Sequence, residues 1–244
     1  MAMNSRNAAL AEFLGTFFLC FAGIAAILSA TPTVGGGGGL VAIALAHGLA
    51  LSVAVNAFGG ISGAHFNPAV TAGMLATRRI TGGLAGVYIV AQLAGATVAA
   101  ALCNAIFPAA AVSEATLGIP LPAAWATTGT VLTVEFILTF LLIVAIFGTA
   151  VDERGKAVKI GGFGIGLTVA FDILAGGPVT GASMNPARSF GPALVAAHWA
   201  WHWAYWVAPI LGGVTGALVY HHLLLGPPPE PPVREEALKR DRRR

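Results

Sequence analysis

The chain has 244 residues, of which 57% are hydrophobic and 9% are charged, and its formal net charge is +3. About a quarter of the residues of a soluble globular domain are charged, so these proportions exclude a soluble protein. They predict an integral membrane protein whose spans are α-helices, and therefore an all-α fold.

Six stretches are long and apolar enough to cross a bilayer, which takes roughly 20 mainly apolar residues. They lie near residues 8–30, 40–58, 84–107, 128–150, 160–176 and 203–225. The first stretch also has the outline of a signal peptide, with a basic start and a small-residue exit. Its removal would leave an odd number of spans and break the charge pattern, so we favour a transmembrane helix.

Twelve of the 13 lysine and arginine residues lie on one side of the membrane if all six stretches are spans. The two long loops of the opposite side, near 31–39 and 108–127, contain none. Cytoplasmic loops are enriched in Lys and Arg, so both termini are predicted to be cytoplasmic. Residues 226–244 are rich in proline and charge and are predicted to form a disordered cytoplasmic tail after a single transmembrane domain, residues 1–225.

The tripeptide Asn-Pro-Ala occurs twice, at Asn67-Pro68-Ala69 and at Asn185-Pro186-Ala187. Asn is a preferred helix N-cap and Pro a preferred first helical residue, so each copy predicts the start of a short helix. In hydrocarbon a helix start leaves N–H groups unpaired, so it is tolerated only where it lines a water-filled cavity. The two tripeptides therefore predict two re-entrant half-helices and a pore.

The two halves of the chain are related by an internal repeat. The segment Ala11–Phe17 returns as Val134–Phe140, and the two motif asparagines are 185 − 67 = 118 residues apart. Each half, about 8–107 and 128–225, has three spans. Because three is odd, the halves are predicted to insert in opposite orientations as an inverted repeat, with their half-helices meeting near the midplane.

This meeting point predicts a channel that conducts water and excludes protons. Each half-helix presents the positive end of its dipole to the pore, which repels cations. Asn67 and Asn185 can both donate to one water oxygen, which turns the hydrogens of that water away from the midplane and interrupts a proton wire. Arg188 follows the second tripeptide, where a cation is unfavourable for the helix. We interpret it as a pore-lining group that repels cations, with snorkelling to the outer interface as the alternative.

Residues 61–71 and 181–192 resemble the two signature loops of the aquaporin family, the major intrinsic proteins. Gln92 in the third span and Tyr205–Pro209 in the sixth add to the likeness, which covers about residues 8–225. The resemblance implies six tilted transmembrane helices with two re-entrant half-helices, one pore per subunit and a homotetramer. It implies no cofactor.

The resemblance also implies a selectivity filter on the outer side of the asparagines, formed here by His47, Ile173, Ala182 and Arg188. In the commonest water-channel filter an aromatic residue takes the place of His47 and a histidine that of Ile173. The set found here is similar to that of plant tonoplast intrinsic proteins, which pass water and in several cases ammonia, urea or hydrogen peroxide. Ser189 stands where the glycerol-conducting branch usually has Asp, which disfavours glycerol as the main cargo.

Four further polar residues lie in spans or pore loops. Glu12 and Glu135 occupy matching repeat positions, and by resemblance they accept hydrogen bonds from the re-entrant loops; proton coupling is the alternative. His65 lies in the first loop and is predicted to line the cytoplasmic vestibule. Asp172 either pairs locally or faces a polar cavity.

We therefore predict a passive channel for water and small neutral solutes in a bacterial cytoplasmic membrane, with the lipid bilayer but no nucleic acid as a partner and no enzymatic activity. His198 and His202 have the spacing of metal ligands but no third ligand, so no metal is predicted. The alternatives are a facilitator mainly for glycerol, urea or ammonia, an ion-coupled transporter that uses the buried carboxylates, and a non-conducting junction protein.

Overall fold

The computed structural model describes residues 5–156, 158 and 160–226. In this part of the chain all regular structure is helical, so the predicted all-α fold is confirmed. The α-helices are α1 (Ser5–Ser29), α2 (Gly39–Ser62), α3 (Pro68–Ala76), α4 (Gly82–Ile106), α5 (Ala109–Glu114), α6 (Thr128–Ile146), α7 (Glu153–Lys156), α8 (Gly161–Thr180), α9 (Pro186–Val195) and α10 (Ala204–Val219). The predicted tail lies, beyond residue 226, outside the described residues.

Six helices are long and apolar enough to cross a membrane, as predicted. The predicted ends of the second and fifth spans were wrong, because α2 continues to Ser62 and α8 to Thr180. Both predictions stopped near a pair of glycines, which the helices in fact tolerate. Each helix ends instead at a single left-handed glycine, Gly63 with φ 87° and Gly181 with φ 81°.

The long helices form the same pairs in both halves. Helix α1 packs on α4 and α6 packs on α10, while α2 packs on α8 across the halves. A Cβ added at Gly95 of α4 would come within 2.3 Å of the Phe13 carbonyl oxygen, and one added at Gly212 of α10 would come within 2.3 Å of the Phe136 carbonyl oxygen. These two pairs of helices can approach so closely only because the contact residue is glycine.

The short helices α3 and α9 are the two predicted half-helices. Helix α3 packs on α10, and α9 packs on α4. Each half-helix is therefore held against the last long helix of the other half, which places both of them inside the bundle. The outward faces of α2 and α8 carry exposed large apolar side chains, namely Val41, Leu45, Leu49, Val53, Phe163, Leu167, Phe171 and Leu174.

Candidate functional site

The half-helices α3 and α9 meet at their N-termini. Asn67 is the N-cap of α3: its Oδ1 accepts from the Ala69 N–H at 2.8 Å, and its Nδ2 donates to the Met184 carbonyl at 2.8 Å. The first contact satisfies a helix-terminal donor, as expected of an N-cap. The second joins the side chain to the loop that precedes the other half-helix.

Asn185 makes the reciprocal contacts. Its Oδ1 accepts from the N–H groups of Ala187 at 3.0 Å and Arg188 at 3.3 Å, and its Nδ2 donates to the Phe66 carbonyl at 2.9 Å. The structure therefore brings the two tripeptides together, with each asparagine bound to the loop of the other half. Both asparagines are 4% exposed and line the same cavity.

The loops that lead into the half-helices have a strained backbone. Ala64 and Phe66 have φ of 54° and 50°, and the corresponding residues Ala182 and Met184 have 45° and 53°. Left-handed geometry at such residues costs on the order of 1–3 kcal/mol each and persists only where the surroundings enforce it. In each loop that enforcement comes from a buried carboxylate behind the pore.

Glu12 holds the first loop. Its Oε1 accepts from the Ser62 hydroxyl at 2.7 Å and the His65 N–H at 2.9 Å. Its Oε2 accepts from the Phe66 N–H at 2.7 Å and the Gln92 side-chain amide at 2.7 Å. The carboxylate is fully buried, and its four donors offset the cost of burying the charge.

Glu135 holds the second loop in the same way. Its Oε1 accepts from the Thr180 hydroxyl at 2.7 Å and the Ser183 N–H at 2.9 Å, and its Oε2 accepts from the Met184 N–H at 2.8 Å. This carboxylate is also fully buried. In each loop two successive backbone N–H groups thus donate to a carboxylate that lies behind the pore.

Two tyrosines that the sequence did not single out for a role in the loops complete this support. Tyr88 donates to the Ser62 carbonyl at 2.6 Å, and Tyr205 donates to the Thr180 carbonyl at 2.6 Å. Their spacing, 205 − 88 = 117, nearly equals that of the two asparagines, so an alignment of the two halves would have paired them.

The two asparagines line a narrow cavity of about 30 Å³. This volume is enough to hold water, since a single water molecule needs about 10–15 Å³ of such space. At each end this cavity shares lining residues with a wider space, one of about 340 Å³ and the other of about 570 Å³. The pore-site residues predicted from the sequence that line the narrow cavity are His47, His65, Asn67, Ile173, Ala182, Asn185 and Arg188.

Three of the four predicted filter residues, His47, Ile173 and Arg188, also line the 340 Å³ space. We call this space the outer vestibule, because the predicted topology puts it on the non-cytoplasmic side. His47 Nδ1 lies 2.8 Å from the Ile43 carbonyl, which can only accept, so Nδ1 carries a hydrogen. Arg188 is 5% exposed, and its Nη1 has no hydrogen-bond partner among the described residues. These three predicted filter residues therefore lie between the asparagines and the outer vestibule.

His65 lies at the other end of the cavity, where it also lines the 570 Å³ space. We call this space the cytoplasmic vestibule, because the topology predicted from the basic residues puts this end in the cytoplasm. Its Nδ1 is 3.1 Å from the Thr71 hydroxyl, and its ring packs edge-on against Tyr88. In the second half the same position is Ser183, whose hydroxyl contacts that of Ser189.

Asp172 does not belong to this site. It is fully buried in α8, its carboxyl oxygens have no hydrogen-bond partner among the described residues, and it does not line the narrow cavity or either vestibule. His202 accepts from the Trp206 indole N–H at 2.9 Å and packs edge-on against Trp199, so it lies in an aromatic cluster.

Comparisons with known proteins agree with the fold. Residues 1–220 match the family described as MIP, Major intrinsic protein. The chain is 44% identical over 225 residues to Aquaporin TIP4-4 of Zea mays, which covers 90% of this chain and 87% of the relative. It is 43% identical over 243 residues to Probable aquaporin TIP3-2 of Arabidopsis thaliana, covering 94% and 88%. The X-ray structure of the aquaglyceroporin from Plasmodium falciparum has the same fold, with a TM-score of 0.82, 24% identity and coverage of 91% of this chain and 97% of that one.

Proposed function

The chain belongs to the major intrinsic protein family, and we propose on that basis that it is a passive transmembrane water channel that excludes protons and ions. The observation that carries this proposal is the reciprocal contact of Asn67 and Asn185 at the narrow cavity. The relatives named as aquaporins support the same function. No covalent chemistry and no cofactor is needed for this passage.

The geometry of the asparagines supports proton exclusion. An amide nitrogen has two hydrogens, and each Nδ2 uses one of them to bind a loop carbonyl, Met184 O for Asn67 and Phe66 O for Asn185. The second hydrogen of each remains for a water oxygen in the cavity. A water that accepts from both side chains has its own hydrogens directed away from the midplane, so a chain of waters with one uniform donor direction is interrupted.

The filter supports passage of small neutral solutes beside water. His47, Ile173, Ala182 and Arg188 are the proposed filter residues, and Ile173 and Ala182 leave a wider aperture than the bulkier residues of a strict water filter. Arg188 supplies a fixed positive charge at the same level, which repels cations. The alternative is a facilitator mainly for glycerol, urea or ammonia, and the name of the Plasmodium falciparum structure, an aquaglyceroporin, is compatible with it.

The protein is a multi-pass membrane protein. We propose that both termini are cytoplasmic, because twelve of the 13 Lys and Arg residues lie on the same side as the termini and cytoplasmic loops are enriched in these residues. We propose the cytoplasmic membrane as its location. We also propose a homotetramer, and this proposal rests on the family resemblance. The exposed apolar faces of α2 and α8 are then available for contact with a neighbouring subunit or with lipid.

Stopped-flow light scattering of proteoliposomes tests the water function and the cargo together. Vesicles are shrunk first in an impermeant osmolyte and then in glycerol, urea or methylammonium buffer, with empty vesicles as the control. We expect fast shrinkage in the impermeant osmolyte and slower re-swelling in urea and methylammonium. Slow shrinkage with rapid re-swelling would make the alternative facilitator the main function, and rates equal to those of empty vesicles would refute both.

A further inference from the structure

The ring of His65 lies where the narrow cavity opens into the cytoplasmic vestibule, and the position of its hydrogen decides what a permeating water meets. In a neutral imidazole one ring nitrogen has a hydrogen and donates, while the other accepts. Nδ1 lies 3.1 Å from the Thr71 hydroxyl oxygen, which can both donate and accept. The distance alone therefore leaves both tautomers open, and the other partners of Thr71 decide between them.

The first of these partners is Gln92, whose orientation is fixed by Glu12. Four donors surround the carboxylate oxygens of Glu12 at 2.7–2.9 Å, so this carboxylate acts only as an acceptor. The Gln92 atom that lies 2.7 Å from it is therefore the amide nitrogen and not the amide oxygen. The second hydrogen of this nitrogen is donated to Thr71 Oγ1 at 3.1 Å. It occupies one of the two acceptor positions of the Thr71 hydroxyl.

The second partner is the backbone carbonyl of Asn67, which lies 3.0 Å from Thr71 Oγ1 and can only accept. The single hydrogen of the Thr71 hydroxyl is therefore donated to this carbonyl. The contact with His65 then uses the remaining acceptor position of the hydroxyl, so Nδ1 has the hydrogen. Only this arrangement makes all three contacts of Thr71 hydrogen bonds, because a hydroxyl that donated to Nδ1 would lose its bond to the carbonyl.

We propose that Thr71 is a positioning residue that holds His65 in the Nδ1–H tautomer, so that Nε2 offers an acceptor to water on the cytoplasmic side of the asparagines. This inference rests on the proposed channel function. Water that accepts from Asn67 and Asn185 has its hydrogens directed away from the midplane. On the cytoplasmic side these hydrogens need an acceptor. The Nδ1–H tautomer supplies it, whereas the other tautomer would present a further hydrogen.

The corresponding position of the second loop has no fixed polarity. Ser183 takes the place of His65, 183 − 65 = 118 residues further on, and Ser189 takes that of Thr71 at the same spacing. The two serine hydroxyl oxygens are 2.5 Å apart, and both contact the Asn185 carbonyl. A hydroxyl hydrogen rotates to suit its surroundings, so either serine can donate or accept. The fixed acceptor is therefore particular to the first loop.

Solid-state nitrogen-15 NMR of the full chain in proteoliposomes, labelled at histidine, tests the tautomer. Ring nitrogens with and without a hydrogen give separate signals, and the signals of His65 are those that H65S lacks. Spectra are recorded at about pH 8, where an ordinary histidine is neutral. We expect a hydrogen on Nδ1 and none on Nε2. His47 is the internal reference, because its Nδ1 donates to the Ile43 carbonyl and does not depend on Thr71.

Variants of Thr71 connect the tautomer to water passage. T71V replaces the hydroxyl by a methyl group and leaves Nδ1 without an acceptor, so the hydrogen of His65 should move to Nε2. The osmotic water permeability of proteoliposomes with equal protein content should then fall about two- to fivefold, the effect of one lost hydrogen bond. T71S keeps the hydroxyl and should restore both the spectrum and the permeability of the wild type.

The matched control is T97V in α4. Thr97 also donates to the carbonyl four residues before it, that of Leu93, at 2.8 Å, but it does not line the narrow cavity or either vestibule. T97V should therefore change neither the His65 signals nor the water permeability.

A hydrogen on Nε2 of His65 in the wild type would overturn the inference, and this result does not depend on whether T71V folds. The inference also fails if T71V keeps the Nδ1–H tautomer, or if its tautomer changes while its water permeability equals that of the wild type. Wild-type vesicles no more permeable to water than empty vesicles would refute the channel function instead, whereas the spectra decide the tautomer in either case.

Discussion

The two pore loops have the same backbone but differ in the side chains that reach the cavity. The glycine, the two left-handed residues and the N-cap asparagine match position by position, and each loop is held by one buried glutamate and one tyrosine. The cavity-facing position that is His65 in the first loop is Ser183 in the second. The two loops therefore share the elements that shape the backbone and the two cavity-lining asparagines, and they differ at the cavity-facing residues His65 and Ser183.

The polar support also differs in one detail. Glu12 has a fourth donor, the Gln92 amide, which also donates to the Thr71 hydroxyl at 3.1 Å. The residue at the matching position of α10, 209 − 92 = 117 further on, is Pro209, which offers no side-chain donor. The first loop therefore depends on its carboxylate network more heavily than the second.

The largest expected effect comes from removing the carboxylates that both loops share. E12A leaves four donors without their acceptor and E135A leaves three, and unpaired buried donors cost about 1–3 kcal/mol each. We expect both variants to lose about 3–5 kcal/mol or more of the free energy of unfolding, E12A more than E135A. Thermal unfolding of the purified protein measures this. E153A, an exposed surface variant, is the control, and a midpoint for E12A within about 2 °C of the wild type would contradict the account.

Arg188 is the largest difference between the halves, because the first half has no cation at the matching position, Val70. R188V should keep the water permeability within about twofold of the wild type and raise methylammonium conductance at least about tenfold, which corresponds to a barrier lowered by about 1.4 kcal/mol. Conductance of planar bilayers measures this, with R78Q, at an exposed arginine outside the cavities, as the control. Unchanged ion exclusion in R188V would show that the half-helix dipoles suffice.

Gln92 tests the asymmetry of the support directly. Q92L should destabilise the protein by about 1–2 kcal/mol, because one acceptor position on Glu12 is left without its donor. The unfolding midpoint should fall by roughly 2–8 °C. If Q92L has the same unfolding midpoint as the wild type, the three donors shared by both loops suffice to stabilise the carboxylate. The extra donor of the first loop then does not contribute to the stability of the protein.

The cavity-facing residue of the first loop can be exchanged for that of the second. H65S gives the first loop the side chain of the second and removes the ring that packs on Tyr88. We expect water permeability to rise by no more than about twofold, because the asparagines and the proposed filter residues are unchanged. Selectivity among urea, glycerol and methylammonium should stay the same, and a changed order would place part of the filter on the cytoplasmic side.

The smallest effect concerns the cytoplasmic end, outside the duplicated loops. Hydrogen bonds from the Arg154 side chain are the main cause that lowers the pKa of Asp152 from 3.8 to about 2, and the Arg154 N–H and the Tyr220 hydroxyl add to it. A carboxyl whose pKa is lowered by folding stabilises the protein above its ordinary pKa, and this contribution is lost as the pH falls through about 2. The difference in unfolding midpoint between wild type and D152N should be constant from about pH 5 to 8 and shrink below about pH 4. A difference that changes near neutral pH would contradict this assignment.

The sequence allowed the fold to be predicted because the strongest signals were local. Hydropathy gives the six spans, and Asn67 and Asn185 with the prolines that follow them give the two half-helices. The predicted ends of α2 and α8 were wrong because a helix tolerates paired glycines. Only the backbone geometry shows which glycine is left-handed and therefore ends the helix.

Such local patterns did not predict contacts between side chains that are far apart in the sequence. Gln92 binds Glu12 across 80 residues, and Glu114 binds Thr33 across 81. Neither pair is marked by periodicity or by a motif. The place of Glu114 in the outer vestibule in particular depends on how a loop folds back over the pore.

We propose that water passes the point where the two half-helices meet and that protons do not, and one measurement tests both parts. Proteoliposomes containing a pH-sensitive dye are subjected in parallel to an osmotic step and to a pH step, at several protein-to-lipid ratios. We expect water permeability that rises with protein content and has a low activation energy, with proton flux equal to that of empty vesicles. Proton flux that rises in proportion to water permeability, or water permeability that does not depend on protein content, would contradict it.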